Sequence, residues 1–123
     1  MYTQKVEDKI IAYDFSLGDR IKENLKGRRG ITERKMFDGL SFLLKGKMVC
    51  GVIKNKLVAR VNPKHYKELL TMPHTSIMDF NGKPLTGFIY VNKQGLKTDK
   101  SLQFWIDQGL SYAKSLVKKE KKK

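Results

Sequence analysis

The chain has 123 residues, which suits one domain, since typical domains contain ~100–150 residues. Hydrophobic residues make up 40% of it and aromatic residues 10%, which excludes a disordered chain because such chains cannot build a core. No apolar run approaches the ~20 residues of a membrane-spanning helix, and residues 1–5 lack the apolar core of a signal peptide, so a cytoplasmic protein is expected. The single cysteine, Cys50, excludes an internal disulfide and is predicted to be a small buried hydrophobe.

The charge balance favours anionic partners. The chain contains 26 Lys and Arg against 12 Asp and Glu, a formal net charge of +14. Such a field attracts polyanions, and because lysine offers a point charge rather than the planar fork that reads bases, loose phosphate attraction is favoured over base readout. The alternative is that the charge serves solubility or reflects a lysine-rich source proteome. No membrane partner is predicted.

The first helix is predicted over residues 14–27. Leu17, Ile21 and Leu25 recur four residues apart, which places them on one helical face. Asp14 or Ser16 can cap its beginning, and a glycine follows its last apolar position. Residues 1–12 are treated as an N-terminal extension of a domain that spans residues 13–117.

Short strands are predicted over residues 31–37, 40–44, 47–53 and 56–61, because turn residues separate these apolar segments. Gaps this short favour antiparallel hairpins, so a meander of three or four strands is expected. A second helix is predicted to begin at Asn62-Pro63, and a further strand to cover residues 85–91, with residues 78–80 as an extended piece that leads into it.

The last helix is predicted to begin after Thr98-Asp99 and to end near Val117. Its apolar stripe consists of Leu102, Trp105, Ile106, Leu110, Ala113, Leu116 and Val117. The lysine-rich residues 118–123 are predicted to form a disordered tail.

Enzyme signatures are absent from the sequence. Neither Gly-Lys pair completes a phosphate-binding loop, since Ser41 and Ile77 stand where glycine is required. His65 and His74 are nine residues apart, which is not a metal-ligand spacing. Glu33, Asp38 and Asp79 could form carboxylate pairs only if the fold brought them together. We therefore predict no catalytic residue, no metal and no cofactor.

A basic cluster at the predicted end of the first helix is the best local candidate for contact with a polyanion. It consists of Lys26, Arg28, Arg29, Arg34 and Lys35. The alternative is a solvated helix terminus whose cations complement the helix dipole. Phe42, Phe88 and Tyr90 are predicted to be core residues rather than platforms on which bases stack.

Several motifs together resemble one family. The stretch ERKMFDGLSF at 33–42 is similar to the opening of the TfoX/Sxy amino-terminal domain family, and GKMVCGV (46–52), LVARV (57–61), MDF (78–80) and GKPLTGFIYV (82–91) resemble its later motifs in the same order. The resemblance covers about residues 12–117. It implies an α+β fold with two layers, in which an antiparallel sheet packs against helices as in secretion chaperones. Named members regulate natural competence in bacteria together with the cyclic-AMP receptor protein and carry a second, carboxy-terminal domain, so a stand-alone amino-terminal domain is expected here.

The resemblance implies a mainly structural signature. Its members in this chain are Met36, Phe37, Gly39, Leu40, Phe42, Cys50, Gly51, Arg60, Met78, Asp79, Phe80, Gly82, Pro84, Gly87, Phe88 and Tyr90. The glycines are expected at turns, bulges or close strand contacts, and the phenylalanines and Met36 in the core.

Three functions remain open from the sequence. The first is an accessory domain in bacterial regulation that binds a protein partner or a second copy of itself. The second is a basic protein that associates with nucleic acid through charge. The third is an enzyme of unrecognised type, which requires a pocket with convergent polar groups near Glu33, His74 or Asp79.

Overall fold

The computed structural model describes residues 13–36, 39–80 and 82–121. The helices are α1 (Phe15–Leu25), α2 (Tyr66–Leu69) and α3 (Asp99–Lys121), with 3-10 turns at Pro63–His65 and Lys93–Leu96. The strands are β1 (Ile31–Met36), β2 (Gly39–Leu44), β3 (Lys47–Ile53), β4 (Lys56–Arg60), β5 (Thr75–Phe80) and β6 (Lys83–Val91). This architecture confirms the predicted α+β class.

All six strands form one antiparallel sheet in the order β1-β2-β3-β4-β6-β5. The predicted meander is therefore confirmed as β1 to β4. The sequence indicated only residues 78–80 of β5, which in fact begins at Thr75 and pairs with β6 at the sheet edge. Its register shifts between Ile77 and Asp79, which interrupts the alternation that would have marked it as a strand.

One face of the sheet carries the helices and the hydrophobic core. Leu17, Ile21 and Leu25 of α1 are buried there, as their spacing predicted. The cap is Asp14, whose Oδ1 accepts a hydrogen bond of 3.1 Å from the backbone N–H of Leu17. The interpretation of residues 1–12 as an extension lies outside the described residues.

Helix α3 covers the centre of the same face. Leu102, Trp105, Ile106, Leu110 and Ala113 are buried, while Leu116 and Val117 are only partly covered. The helix continues to Lys121, where Glu120 forms an ion pair with Lys47 of β3. Residues 118–121 are therefore helical, and the predicted disordered tail is wrong for them because lysine is a good helix former and this contact anchors the last turn.

The second predicted helix is short. Asn62 accepts a hydrogen bond of 2.9 Å from the backbone N–H of Lys64, as its N-cap role requires, but a 3-10 turn precedes the single α-helical turn of α2. Tyr66 and Leu69 anchor this turn in the core. None of the helices in the described ranges is long and apolar enough to cross a membrane.

Candidate docking surface on the outer face of the sheet

The side of the sheet opposite α1 and α3 is here called the outer face. Directly paired residues of neighbouring strands project to the same side of a sheet, so one row of side chains can be followed across all six strands. In strand order it runs Arg34, Ser41, Gly51, Val58, Tyr90 and Ser76. The neighbouring pair Arg60 and Phe88 belongs to the same face, because Arg60 lies two residues beyond Val58 on β4.

An apolar depression of about 180 Å³ opens on this face. The described residues that line it all belong to strands, and almost all of their lining atoms are apolar. The residues are Leu40, Ser41, Met48, Gly51, Val52, Ile53, Val58, Met78, Leu85 and Phe88. Val58 and Met78 are 1% and 5% exposed but lie outside the cluster that forms the core beneath the helices. The sheet thus has apolar side chains on both faces.

Gly51 shapes the floor of the depression. A Cβ atom at this position would lie 2.8 Å from the carbonyl oxygen of Leu40 and 3.3 Å from Cε of Met48. Any side chain would therefore push β2 and β3 apart or displace Met48. The glycine keeps the floor deep between Ser41 and Val58, its cross-strand neighbours.

Arg60 lies beside the depression between two aromatic rings. Its Cζ atom is 5.3 Å from the ring centroid of Phe88 and 5.1 Å from that of Tyr112 in α3, so the arginine side chain reaches the border between the outer face and the helix layer. Both distances lie within the range of cation–π attraction. Burial lowers the pKa of Arg60 below its usual value, and the nearby Tyr112 acts in the opposite direction. Among the residues that the structure describes, no ion pair or side-chain hydrogen bond involves the Arg60 guanidinium.

Two further cations flank this face. Nζ of Lys56 lies 5.0 Å from the ring centroid of Tyr90, so this lysine is held over the same sheet surface as Arg60. Arg34 is exposed at the β1 end of the row that passes through Ser41 and Gly51. The depression is therefore apolar at its floor and positively charged around it.

The predicted polyanion-binding residues occupy two places. Lys26, Arg28 and Arg29 lie together in the connection from α1 to β1, and all three are exposed. Arg34 and Lys35 are also exposed but alternate along β1, so they project to opposite sides of the sheet. The structure thus gathers three of the five charges and places Arg34 on the outer face.

The residues considered for catalysis remain apart. Glu33 pairs with Lys22 of α1 at 3.8 Å, Asp79 is exposed on β5, and His74 is exposed in the turn before it. Within the described ranges, no group of three His, Cys, Asp or Glu side chains could hold a metal ion. Cys50 is fully buried beneath the helices, and this burial raises the pKa of its thiol to about 12.

Most signature residues have the structural roles that the resemblance implied. Leu40, Phe42 and Cys50 are buried, Gly82 and Gly87 adopt positive φ angles, and a Cβ at Gly39 would lie 2.1 Å from a backbone oxygen of β3. Pro84 of β6 and Asp79 of the edge strand β5 are exposed and pair with each other. The side chains of Met36 and Phe80, and the whole of Phe37 and Asp38, lie outside the described part of the chain.

The prediction that Phe88 and Tyr90 are core residues is wrong. Both are half-buried on the outer face, because their neighbours Ile89 and Val91 take the core positions of β6. The sequence reasoning also missed Met48, Val58, Leu85 and Tyr112 as site residues. A signal was present in LVARV at 57–61, where apolar residues occupy consecutive positions and so point to both faces of the strand.

Comparison with known families agrees with this architecture. A family model described as the TfoX N-terminal domain matches residues 23–113, from the last turn of α1 into α3, and so includes every strand. Comparisons with curated proteins and with solved structures give no match. Because the family model covers most of the 123 residues, the chain belongs to the TfoX N-terminal domain family.

Proposed function

We propose that this domain is a protein-interaction module that serves as an accessory in bacterial regulation, and that it contacts its partner through the outer face of the sheet. The observation that carries the proposal is the apolar depression, to which no described helix contributes a residue. The regulatory context is supported by membership of the TfoX N-terminal domain family.

The composition of the outer face favours a protein partner. Antiparallel sheets that cover one core usually present alternating polar side chains to water on the other face. Here the outer face instead has Val58, Met48 and Met78 around a concave floor. Apolar concave surfaces bordered by charge are typical of docking sites, and methionine side chains adapt to the shape of a partner.

Nucleic-acid association is the second candidate function. Lys26, Arg28 and Arg29 are exposed in one loop, and no ion pair within the described ranges involves them. Loop cations of this kind contact phosphates without reading sequence. The overall charge of +14 strengthens the attraction.

Photo-cross-linking in the source cells tests the first proposal. A photoreactive phenylalanine analogue is placed at Leu85, on the rim of the depression, and in a second variant at Phe104 of α3. These two side chains are both 38% exposed, so they form a matched pair on opposite sides of the sheet. We expect the Leu85 probe to form discrete adducts with one or a few proteins, identified by mass spectrometry, and the Phe104 probe to form few or none.

Adducts of equal number and identity from the two positions would contradict a specific role for the outer face. An adduct twice the mass of the chain, obtained only from the Leu85 probe, would identify a second copy as the partner. A partner that belongs to the transcription machinery would support the regulatory part of the proposal, and one without any link to gene regulation would contradict it.

A further inference from the structure

The guanidinium of the partly buried Arg60 lies between two aromatic rings. Its Cζ atom lies 5.3 Å from the ring centroid of Phe88 and 5.1 Å from that of Tyr112, within the range of cation–π attraction. The N–H donors of arginine lie in the plane of the group, along its edge. No side-chain hydrogen bond among the described residues uses these donors of Arg60, and their planar fork matches a carboxylate through two parallel hydrogen bonds.

This arginine lacks a counter-charge within the described part of the chain. The four ion pairs found there involve Arg20, Lys22, Lys47 and Lys93. A partly buried cation is normally paired, because removal of its hydration is unfavourable. The aromatic clamp offsets part of that penalty, and an incoming anion would offset the rest.

The clamp and the apolar depression share a side chain. Phe88 contacts Arg60 and also lines the depression, so a single ligand can occupy both places. The depression measures about 180 Å³, and an apolar cavity of ~150 Å³ is large enough for a benzene ring. It therefore suits one apolar side chain rather than a drug-sized molecule, for which pockets of ~300–1,000 Å³ are usual.

We infer that the outer face binds an acidic peptide segment of a partner protein, with an apolar side chain of the segment in the depression and a neighbouring Asp or Glu carboxylate on the edge of Arg60. This inference rests on the proposed function and specifies the partner's chemistry. The net charge of +14, with Lys56 held on the same face, favours an acidic segment during encounter and in the complex.

The lining of the depression favours a peptide over a nucleobase. Among the described residues that line the depression, Ser41 alone has a polar side chain, so the donors and acceptors along a base edge would lose hydrogen bonds to water without replacement. An aliphatic or aromatic side chain has no such groups to satisfy. The carboxylate is then the only strongly polar contact, and Arg60 is positioned to receive it.

A peptide-display selection tests the inference. The full chain is immobilised and a phage library of random 12-residue peptides is selected against it. The best peptides are then synthesised for isothermal titration calorimetry. We expect selected peptides to carry Asp or Glu within three positions of Leu, Met, Phe or Trp. Arg60→Gln should weaken their binding at least about tenfold, because it leaves the peptide's carboxylate without its charged partner.

Controls separate recognition by Arg60 from a structural effect. Lys97→Gln makes the same change in charge at an exposed lysine outside the depression and should leave the affinity unchanged. Replacing the acidic residue of the peptide with Gln should weaken binding to the wild-type chain about tenfold but have little effect on binding to Arg60→Gln, since the two changes remove the same contact. Thermal unfolding confirms that Arg60→Gln is folded.

A rim variant separates the inference from the function on which it rests. Leu85→Lys alters an exposed residue of the depression, and Phe104→Lys makes the matched change on α3. The inference would be overturned if Leu85→Lys weakened peptide binding while neither Arg60→Gln nor removal of the peptide's acidic residue changed the affinity. The proposed docking face would then remain intact. If neither Arg60→Gln nor Leu85→Lys changed the peptide affinity, or if the selection gave no binders, both the inference and the proposed function would be overturned. Loss of duplex DNA binding in Arg60→Gln, without an acidic peptide motif, would assign the site to nucleic acid and overturn the inference.

Discussion

Gly109 of α3 lies directly against the main chain of Val49 in β3. A Cβ atom on Gly109 would be 2.0 Å from the carbonyl oxygen of Val49 and 2.8 Å from its carbonyl carbon. Helix and strand can approach this closely only because the glycine has no side chain. The contact determines how near α3 lies to the sheet, and thus where Tyr112, three residues later, meets Arg60.

Gly109→Ala is expected to destabilise the protein although alanine is the better helix former. The intrinsic gain from Gly to Ala in a helix is ~1 kcal/mol, whereas a methyl group forced against backbone typically costs ~1–3 kcal/mol or more. We expect a net loss of about 1–2 kcal/mol in the free energy of unfolding, measured by urea denaturation. Ser111→Ala, on the exposed side of the same helix, should be neutral or slightly stabilising. A Gly109→Ala variant with the same free energy of unfolding as the wild type would contradict this close approach of α3 to β3.

Asp14 is expected to stabilise the fold through its charge and through its cap. The ion pair with Lys93, in which Nζ lies 2.8 Å from Oδ2, is the main cause that lowers the pKa of Asp14 below 3.8, and the backbone of Leu17 acts in the same direction. The unfolded chain therefore takes up the proton first as pH falls. The stabilisation is complete above the unfolded pKa of 3.8 and is lost as pH falls through the folded pKa.

Asp14→Ala should thus lower the free energy of unfolding by ~1 kcal/mol at pH 7, with a smaller difference from wild type at pH 3. Asp14→Asn keeps the oxygen that caps Leu17 but not the charge, so its loss should be smaller at pH 7. Ser16→Ala, in the exposed first turn, serves as the control. A difference between wild type and Asp14→Ala that does not change with pH would exclude the contribution of the ion pair.

Cys50 is expected to make the folded protein sensitive to alkaline pH. Burial raises the pKa of its thiol from 9.0 to about 12, so between these values the unfolded chain loses a proton that the folded chain keeps. Stability is unaffected below pH 9 and falls as pH rises above it. Relative to Cys50→Ala, the wild type should lose about 2 kcal/mol of unfolding free energy between pH 8 and pH 10.5. If the free energy of unfolding depended on pH in the same way for the two proteins, the thiol would ionise equally in the folded and the unfolded state, which would contradict the prediction.

The basic loop is expected to contribute to weak binding of duplex DNA. Replacing Lys26, Arg28 and Arg29 with Gln should weaken binding in fluorescence anisotropy and reduce the slope of log K against log salt by about 2–3, since each phosphate contact contributes ~0.9. In the control variant, the exposed residues Lys67, Lys97 and Lys114 are replaced with Gln, so that its net charge equals that of the loop variant. Equal losses in the two triple variants would indicate a diffuse field rather than a site at the loop.

Local chemistry was sufficient to predict the elements of this fold. Leu17, Ile21 and Leu25 identify α1 by their spacing, Asn62 and Asp14 are N-caps as predicted, and the turns between residues 31 and 61 identify the meander. Each of these signals depends on interactions between residues close in sequence, such as a cap, a turn or one face of a helix. The order of motifs was likewise enough to indicate the TfoX N-terminal domain family.

The candidate site, by contrast, was decided by tertiary structure. Arg60, Phe88 and Tyr112 come from β4, β6 and α3, and no local pattern relates positions so far apart in the chain. Strand periodicity places Val58 and Arg60 on one face of β4 and Leu57 and Ala59 on the other. It does not show that the helices leave Val58 uncovered, because Val58 is as apolar as Leu57. The covered face depends on the helix that packs against the sheet. The contact between Gly109 and Val49 brings α3 to the face that carries Cys50 and leaves Phe88 on the other.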